Sequence, residues 1–303
     1  MGNQKGIAIM NIIVDKLKER MNKNSIFTKE DYQHELREIT QELVMAGLAN
    51  SGLFSDASFH GGTALRLFYN IKRYSEDLDF TLDKYNNNFK WEPYLNNVKY
   101  FVGEYGCLLE TKDVSKNESV VKKAFIKDSS IEKMMNLSWR TRSSTPQKIN
   151  IKLEMDTNPP LYSECELKNY DYPCNFNVKT QKLSSLFSGK CHALLCREYE
   201  KGRDWFDFEW FVKKGVVPNY DYLSSMLKQQ GPWKNKDINI NKVWLCNELE
   251  NKNRVLNYDN INKDIKRFTF KDVSKIYDYN MINMLINQMR SEGYGSNVKG
   301  RGY

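Results

Sequence analysis

Histidine is nearly absent from this 303-residue chain, three in all, which leaves too few imidazoles, too widely dispersed, for a His-built metal centre. No run approaches the ~18 successive apolar residues of a bilayer-crossing helix, so the chain is predicted to be soluble and to make no membrane contact. Cysteine is present but unorganised: Cys107, Cys165, Cys174, Cys191, Cys196 and Cys246 form no C-x-x-C pair and no Cys/His set at zinc spacing. That excludes a redox dithiol or a zinc knuckle and predicts reduced thiols in a cytoplasmic setting. The opening MGNQKGIAIMNIIVDKLKER lacks a small-residue cleavage site and turns charged after a brief apolar stretch, which argues against a secretory signal, while Gly6 breaks the myristoylation pattern.

What is present suffices for a large core. Apolar residues make up 40% of the chain and aromatics 13%, and at about 150 residues per domain the length suggests two domains. Lys and Arg number 46 against 38 Asp and Glu, a net charge of +8. Residues 184–303 hold 20 basic and 14 acidic side chains, so +6 of that surplus lies in the last part of the chain. A basic half of this kind suits a phosphate-rich partner.

Apolar residues at helical spacing over 8–20 and 29–50 predict two leading helices, the second capped by Thr28 with Asp31 three residues on. ASFHGG reads as a short strand closing on a glycine pair, after which TALRLFYN resumes helical spacing. In EDLDFTL, Leu78, Phe80 and Leu82 alternate with Asp77, Asp79 and Thr81; this is the period of a half-buried strand and turns both aspartates to one side. WEPYLNNVKYFVGEYG predicts a helix stopped by Gly106, and CLLETKDV and VVKKAFI predict strands. QKINIKLEMDTNPP sets Ile149, Ile151, Leu153 and Met155 on one face and Lys148, Lys152, Glu154 and Asp156 on the other. From Ser184 the pattern turns helical, and Trp205, Phe206, Phe208, Trp210 and Phe211 are expected to pack as core. The expected organisation is α+β over 1–183, a helical domain over 184–290, and a flexible tail over 291–303.

Two features carry chemistry. A two-glycine turn at Gly61 and Gly62 lets backbone N–H groups approach a phosphate, with the following helix adding its positive end. Asp77 and Asp79, on one strand face, hold carboxylate oxygens in the way hard divalent cations require. A second acidic strand some 75 residues on supplies Glu154 or Asp156 as a third carboxylate. Carboxylates from two strands beside a phosphate-binding turn point to phosphoryl or nucleotidyl transfer with two metal ions.

These residues also resemble a known family. GGTALRLFYNIKRYSEDLDF is similar to the first motif of the AbiEii-type toxin nucleotidyltransferases (AbiEii/AbiGii, MenT-like), a branch of the DNA polymerase β-like superfamily with the signature h-G-G/S followed by D-x-D/E. SGKCHALLCREYEKGRDWFDFEWFV resembles the later motifs, a Lys near a helix start and then K-x-R-D-x-x-D. The resemblance implies a polymerase β-like mixed sheet flanked by helices, with the helical region completing the active site.

Carried over residue by residue, it implies that Gly61, Gly62 and Thr63 cradle the nucleotide phosphates, with Arg73 and Ser75 of an R-x-S element beside them. Asp77, Asp79 and the third acid would hold Mg²⁺, or Mn²⁺ in its place. Lys190 would reach a triphosphate or the acceptor, and Asp204 is similar to the family's essential late aspartate. Asp207 shares a helix face with Asp204 and could order Lys201 or Arg203. For the third acid, Glu154 is preferred because it lies within the alternation and not beside the proline turn; Asp156 stands close behind.

The reaction implied is attack of an acceptor hydroxyl on the α-phosphorus of an NTP, with pyrophosphate leaving. In the family the acceptors include the tRNA 3′ end, so that translation stops, within a toxin–antitoxin or abortive-infection (phage-defence) system. A cognate antitoxin is expected as partner.

Other readings explain less. His60-Gly61-Gly62 is similar to the oxyanion loop of α/β-hydrolases, but no G-x-S-x-G elbow accompanies it. DLDFTLDKYNNN lacks the sixth-position glycine and closing glutamate of a calcium loop. A D-x-D glycosyltransferase leaves the glycine turn and the later K…R-D segment without a role. The alternative from another class is a catalytically silent RNA- or partner-binding module on the same fold.

Overall fold

The structure, a computed structural model, describes residues 15–21, 28–131, 148–270 and 275–291. Residues 8–14 of the first expected helix and 292–303 of the expected tail lie outside the described residues; 15–21 are helical. The chain divides into two compact units, one of Met1–Asn70, Tyr74–Pro159 and Cys165–Gln181, the other of Ile71–Arg73, Pro160–Glu164 and Lys182–Tyr303.

The first unit is built on a seven-stranded mixed sheet. Its strands are β1 (Ala57–His60), β2 (Leu78–Leu82), β3 (Leu109–Asp113), β4 (Val121–Asp128), β5 (Ile149–Asp156), β6 (Cys165–Tyr170) and β7 (Phe176–Gln181), in the spatial order β3-β4-β5-β2-β1-β7-β6. Pairs β2/β5 and β1/β7 are parallel and the rest antiparallel. The α+β arrangement is the one expected, with β6 and β7 as unanticipated additions.

Helices α1 (Lys29–Asn50), α2 (Gly61–Tyr69) and α3 (Glu92–Gly103) complete this unit. Thr28 caps α1 as read from the sequence: its hydroxyl accepts from the Asp31 N–H at 3.1 Å, and the Asp31 carboxylate accepts from the Thr28 N–H at 3.0 Å. Proline near the start of α3 suits a position whose N–H has no helical partner. A Cβ on Gly47 of α1 would stand 3.1 Å from the Val98 Cα of α3, so the two helices meet almost backbone to backbone.

Between sheet and helices lies an aromatic core, with ring centroids of Phe59 and Phe80 5.3 Å apart and of Phe80 and Trp91 5.8 Å apart. Fully burying each ring contributes about 2–3 kcal/mol, and the Trp91 indole N–H is satisfied by the Lys122 carbonyl at 3.0 Å. Buried acids of α1 are compensated in place: Arg20 reaches Glu35, Glu38 and Glu42, and Arg66 reaches Glu38.

The second unit is helical: α4 (Leu183–Cys196), α5 (Gly202–Lys213), α6 (Tyr220–Gln229), α7 (Lys242–Asn253), α8 (Tyr258–Phe268) and α9 (Tyr279–Ser291). The aromatics of α5 pack as expected. Trp205, Phe206, Phe208 and Phe211 are buried, with the Phe211 ring stacked on Phe187 at 4.5 Å; Trp210 is half-buried and edges onto Phe211. At the start of α5, a Cβ on Gly202 would fall 2.1 Å from the Ile261 carbonyl oxygen of α8.

That contact yields a stability prediction. Backbone cannot swing aside as a side-chain tip would, so Gly202→Ala is expected to cost about 2–4 kcal/mol. A lowered urea midpoint at unchanged slope would register it; an unchanged midpoint would refute the tight α5/α8 contact.

Candidate active site

In the first unit, β1 delivers the chain into Gly61 at φ +78°, a left-handed conformation that favours glycine. His60 pairs in register with Asp79 on β2, so the glycine turn sits beside the second aspartate. A Cβ on Gly61 would lie 2.3 Å from the Asp79 Oδ2. Both the backbone angle and the space therefore demand glycine there. Gly62, buried, continues the turn into α2.

Around this turn, two polar residues act on the aspartate strand. Thr63 is fully buried and its hydroxyl donates to the Asp77 carbonyl, tying the first turn of α2 to the residue just before β2. Gln41, buried on α1, donates from its amide to the carbonyls of Ser75 at 3.2 Å and Glu76 at 3.0 Å. The sequence offered Thr63 and Ser75 as nucleotide contacts and gave Gln41 no role; the structure uses Thr63 and the Ser75 backbone to position the D-x-D segment. No side chain caps the start of α2, which leaves its first-turn amides as the donor end of a helix.

The acids line up across strands. Register places Glu154 opposite Asp79 and Asp156 opposite Thr81. Lys152 bridges two of the carboxylates, its Nζ 3.1 Å from Asp77 Oδ2 and 3.5 Å from Glu154 Oε1, while Lys123 lies 3.0 Å from Glu154. Burial alone would raise the Glu154 pKa, but Lys123 and Lys152 outweigh it and hold the carboxyl below its ordinary value. Asp156 shifts the other way: burial pushes it up, offset only in part by the Asn158 N–H and His60.

Among the described residues no three His, Cys, Asp or Glu side chains converge as a ready metal cage. The donor chemistry nevertheless suits a hard divalent cation, with half-buried carboxylate oxygens of Asp77, Asp79 and Glu154 on one sheet face and a cation already among them in Lys152.

The second unit holds its own cluster. Lys190 of α4 lies 2.9 Å from Asp204 Oδ1 and 2.7 Å from Asp207 Oδ2, both acids being buried on α5. Burial would lower the Lys190 pKa, yet these two carboxylates raise it above the ordinary lysine value. Burial likewise works against an ionised Asp204, and Lys190, Arg197 and Lys201 together hold its pKa low. Arg197 contacts Asp204 directly.

Asp207 differs from expectation in its partners. Spacing suggested Lys201 or Arg203; instead Asp207 takes Arg73 in a bidentate pair at 2.5 and 2.6 Å, together with Lys190, and Arg203 turns to Asp264 and the Phe268 ring. Arg73, offered as a nucleotide contact, is 2% exposed and engaged by Asp207. Burial and the neighbouring Arg203 and Arg197 push the Lys201 pKa down, the mark of a cationic surrounding.

A family profile described as nucleotidyl transferase AbiEii toxin, type IV TA system, matches residues 43–279, a span containing both glycines, the aspartate pair, the β5 acids and the Lys190 cluster. Among solved structures, MenT4, a nucleotidyltransferase toxin from Mycobacterium tuberculosis, superposes with TM-score 0.55 at 14% identity, over 88% of this chain and 87% of that one. JHP933 from Helicobacter pylori gives TM-score 0.49 at 18% identity, over 87% and 91%. The likeness to MenT4 identifies the fold as polymerase β-like. No curated protein matches the chain.

Two predictions test the electrostatics. Asp207→Asn leaves the buried Arg73 guanidinium short of a charge and should cost about 3–5 kcal/mol, whereas half-buried Asp79→Asn should stay within ~1 kcal/mol, as read by urea denaturation. Equal losses would overturn the distinction.

Because Asp204 and Glu154 have lowered folded pKa values, the unfolded chain binds more protons at acid pH. Their stabilisation is present above the unfolded carboxylate pKa of about 4 and is lost as pH falls through the lower folded values. Stability should therefore rise with pH across that window, and Asp204→Asn should flatten the rise.

Proposed function

This chain belongs to the AbiEii family of nucleotidyltransferase toxins of type IV toxin–antitoxin systems, and from that premise we propose that it transfers a nucleotide from an NTP to an RNA hydroxyl, at the tRNA 3′ end. The observation that supports the reading is the close approach of the Gly61 turn to the Asp79 carboxylate, where amides that would bind phosphate stand beside oxygens that would bind a cation.

Asp77, Asp79 and Glu154 would hold Mg²⁺, or Mn²⁺ in its place. An ion held there would supply Lewis-acid chemistry, lowering the pKa of the acceptor hydroxyl and neutralising charge on the departing pyrophosphate. First-turn amides of α2 receive triphosphate oxygens. Thr63 and Gln41 fix the D-x-D strand so that its carboxylates hold position while the acceptor oxygen bonds to the α-phosphorus and the link to pyrophosphate breaks. Lys190, oriented by Asp204 and Asp207, supplies a positive charge to phosphate, and Arg73 acts through Asp207 as a positioning residue.

An RNA acceptor accords with the basic surplus after residue 184, since phosphate neutralisation supplies most sequence-independent affinity. A cytoplasmic site of action accords with six free cysteines, and no described helix is long and apolar enough to cross a membrane. A cognate antitoxin completes the system, as the family description implies.

The test is incubation with Mg²⁺, each labelled NTP in turn and total tRNA. Label should enter RNA with at least one NTP, vanish with EDTA, and fall at least ~100-fold in Asp77→Ala and Asp79→Asn. No label with any NTP, alongside salt-sensitive RNA retention, would replace this reading with the silent binding module.

A further inference from the structure

Lys152 has no part in the reaction just described, yet its ammonium lies between two carboxylates of the proposed metal site. It lies 3.1 Å from Asp77 and 3.5 Å from Glu154, and Glu154 is the register partner of Asp79. Three carboxylates from two adjacent strands would repel without a cation among them, and the sheet supplies one from β5 itself. Lys123 is placed differently, since it is half exposed and its carboxylate partner is Glu154 alone of the three.

We propose that Lys152 is a place-holding cation: its ammonium keeps the acid cluster assembled before metal enters, and a divalent ion must displace it to bind. This inference rests on the metal reading given above. Two properties make displacement feasible. A divalent ion gains twice the Coulomb energy of an ammonium at the same oxygens, and the lysine side chain, 30% exposed on a flexible four-carbon stem, can withdraw into solvent. The exchange lowers metal affinity in the resting protein and favours loading when nucleotide phosphates arrive with the metal.

Mn²⁺ titration of the full chain without nucleotide, followed by electron paramagnetic resonance or calorimetry, tests this directly. Lys152→Met should bind Mn²⁺ roughly five- to thirtyfold more tightly than the unsubstituted protein, Lys152→Arg should stay near it, and Lys123→Met should change affinity by no more than about threefold. Without metal, Lys152→Met should melt at lower temperature and regain the difference when Mn²⁺ is added.

Measurable binding in Lys152→Met where the unsubstituted protein shows none would equally support the proposal. Unchanged or weaker affinity in Lys152→Met, or no binding in either protein, would overturn it. Asp79→Asn separates the two levels: if that variant keeps full Mn²⁺ affinity, the metal reading itself fails. If it loses binding while Lys152→Met gains nothing, only the place-holder role is lost.

Discussion

The missing Cβ at residue 61 is the constraint on which the join between the glycine turn and the aspartate strand depends. An alanine there would be strained by the backbone angle of φ +78°, and its methyl, 2.3 Å from the Asp79 carboxylate oxygen, would also push that side chain out of its place. The turn is continuous with β1, whose Ala57, Ser58, Phe59 and His60 are all in register with β2, and Thr63 ties the helix beyond it to the same strand. Helix start and aspartate strand are thus tied together, which keeps the donor end of α2 beside the Asp79 carboxylate.

Charge is balanced differently at the two acid clusters, the one around the aspartate strand and the one around Lys190. In the first, half-buried acids are held by Lys152 and Lys123, side chains with enough exposure to move. In the second, Asp204 and Asp207 are almost wholly buried and lock onto Lys190, Arg73 and Arg197. Exposed pairs in high dielectric are weak and exchangeable, while a buried bidentate arginine pair costs several kcal/mol to break on one side. The first arrangement suits a site that must accept an ion. The second suits one whose lysine must stay charged and oriented.

Legibility in the sequence followed the reach of each interaction. Period-two alternation exposed β2 and β5, and with them the shared face of Asp77 and Asp79 and the pairing face of Glu154, because those strands bury one apolar side. The Thr28 cap was legible because both partners lie within three residues. Strand β7 was not, since Thr180 and Gln181 are buried beside Val178 and blur the alternation, and β6 at the sheet edge has no buried residue. Lys152 was visible on the acid face, but its position between two carboxylates depends on the register of β5 with β2, which no local pattern encodes. The Arg73–Asp207 pair spans 134 residues, and helix-face spacing drew attention to nearer but unused cations.

That long-range pair also changes how the R-x-S segment is understood. A guanidinium that is 2% exposed and held in a bidentate pair by a buried aspartate is already committed, and releasing it would leave Lys190, at 2.7 Å, as the cation facing Asp207. Ser75, by contrast, contributes its carbonyl to Gln41, so this element is committed through backbone on one side and through a buried ion pair on the other. Ile71–Arg73 group with the second unit, whereas Tyr74 onward returns to the first. The short run from Arg73 to Asp79 thus belongs covalently to both: it carries the partner of Asp207 at one end and the Asp77 and Asp79 carboxylates at the other.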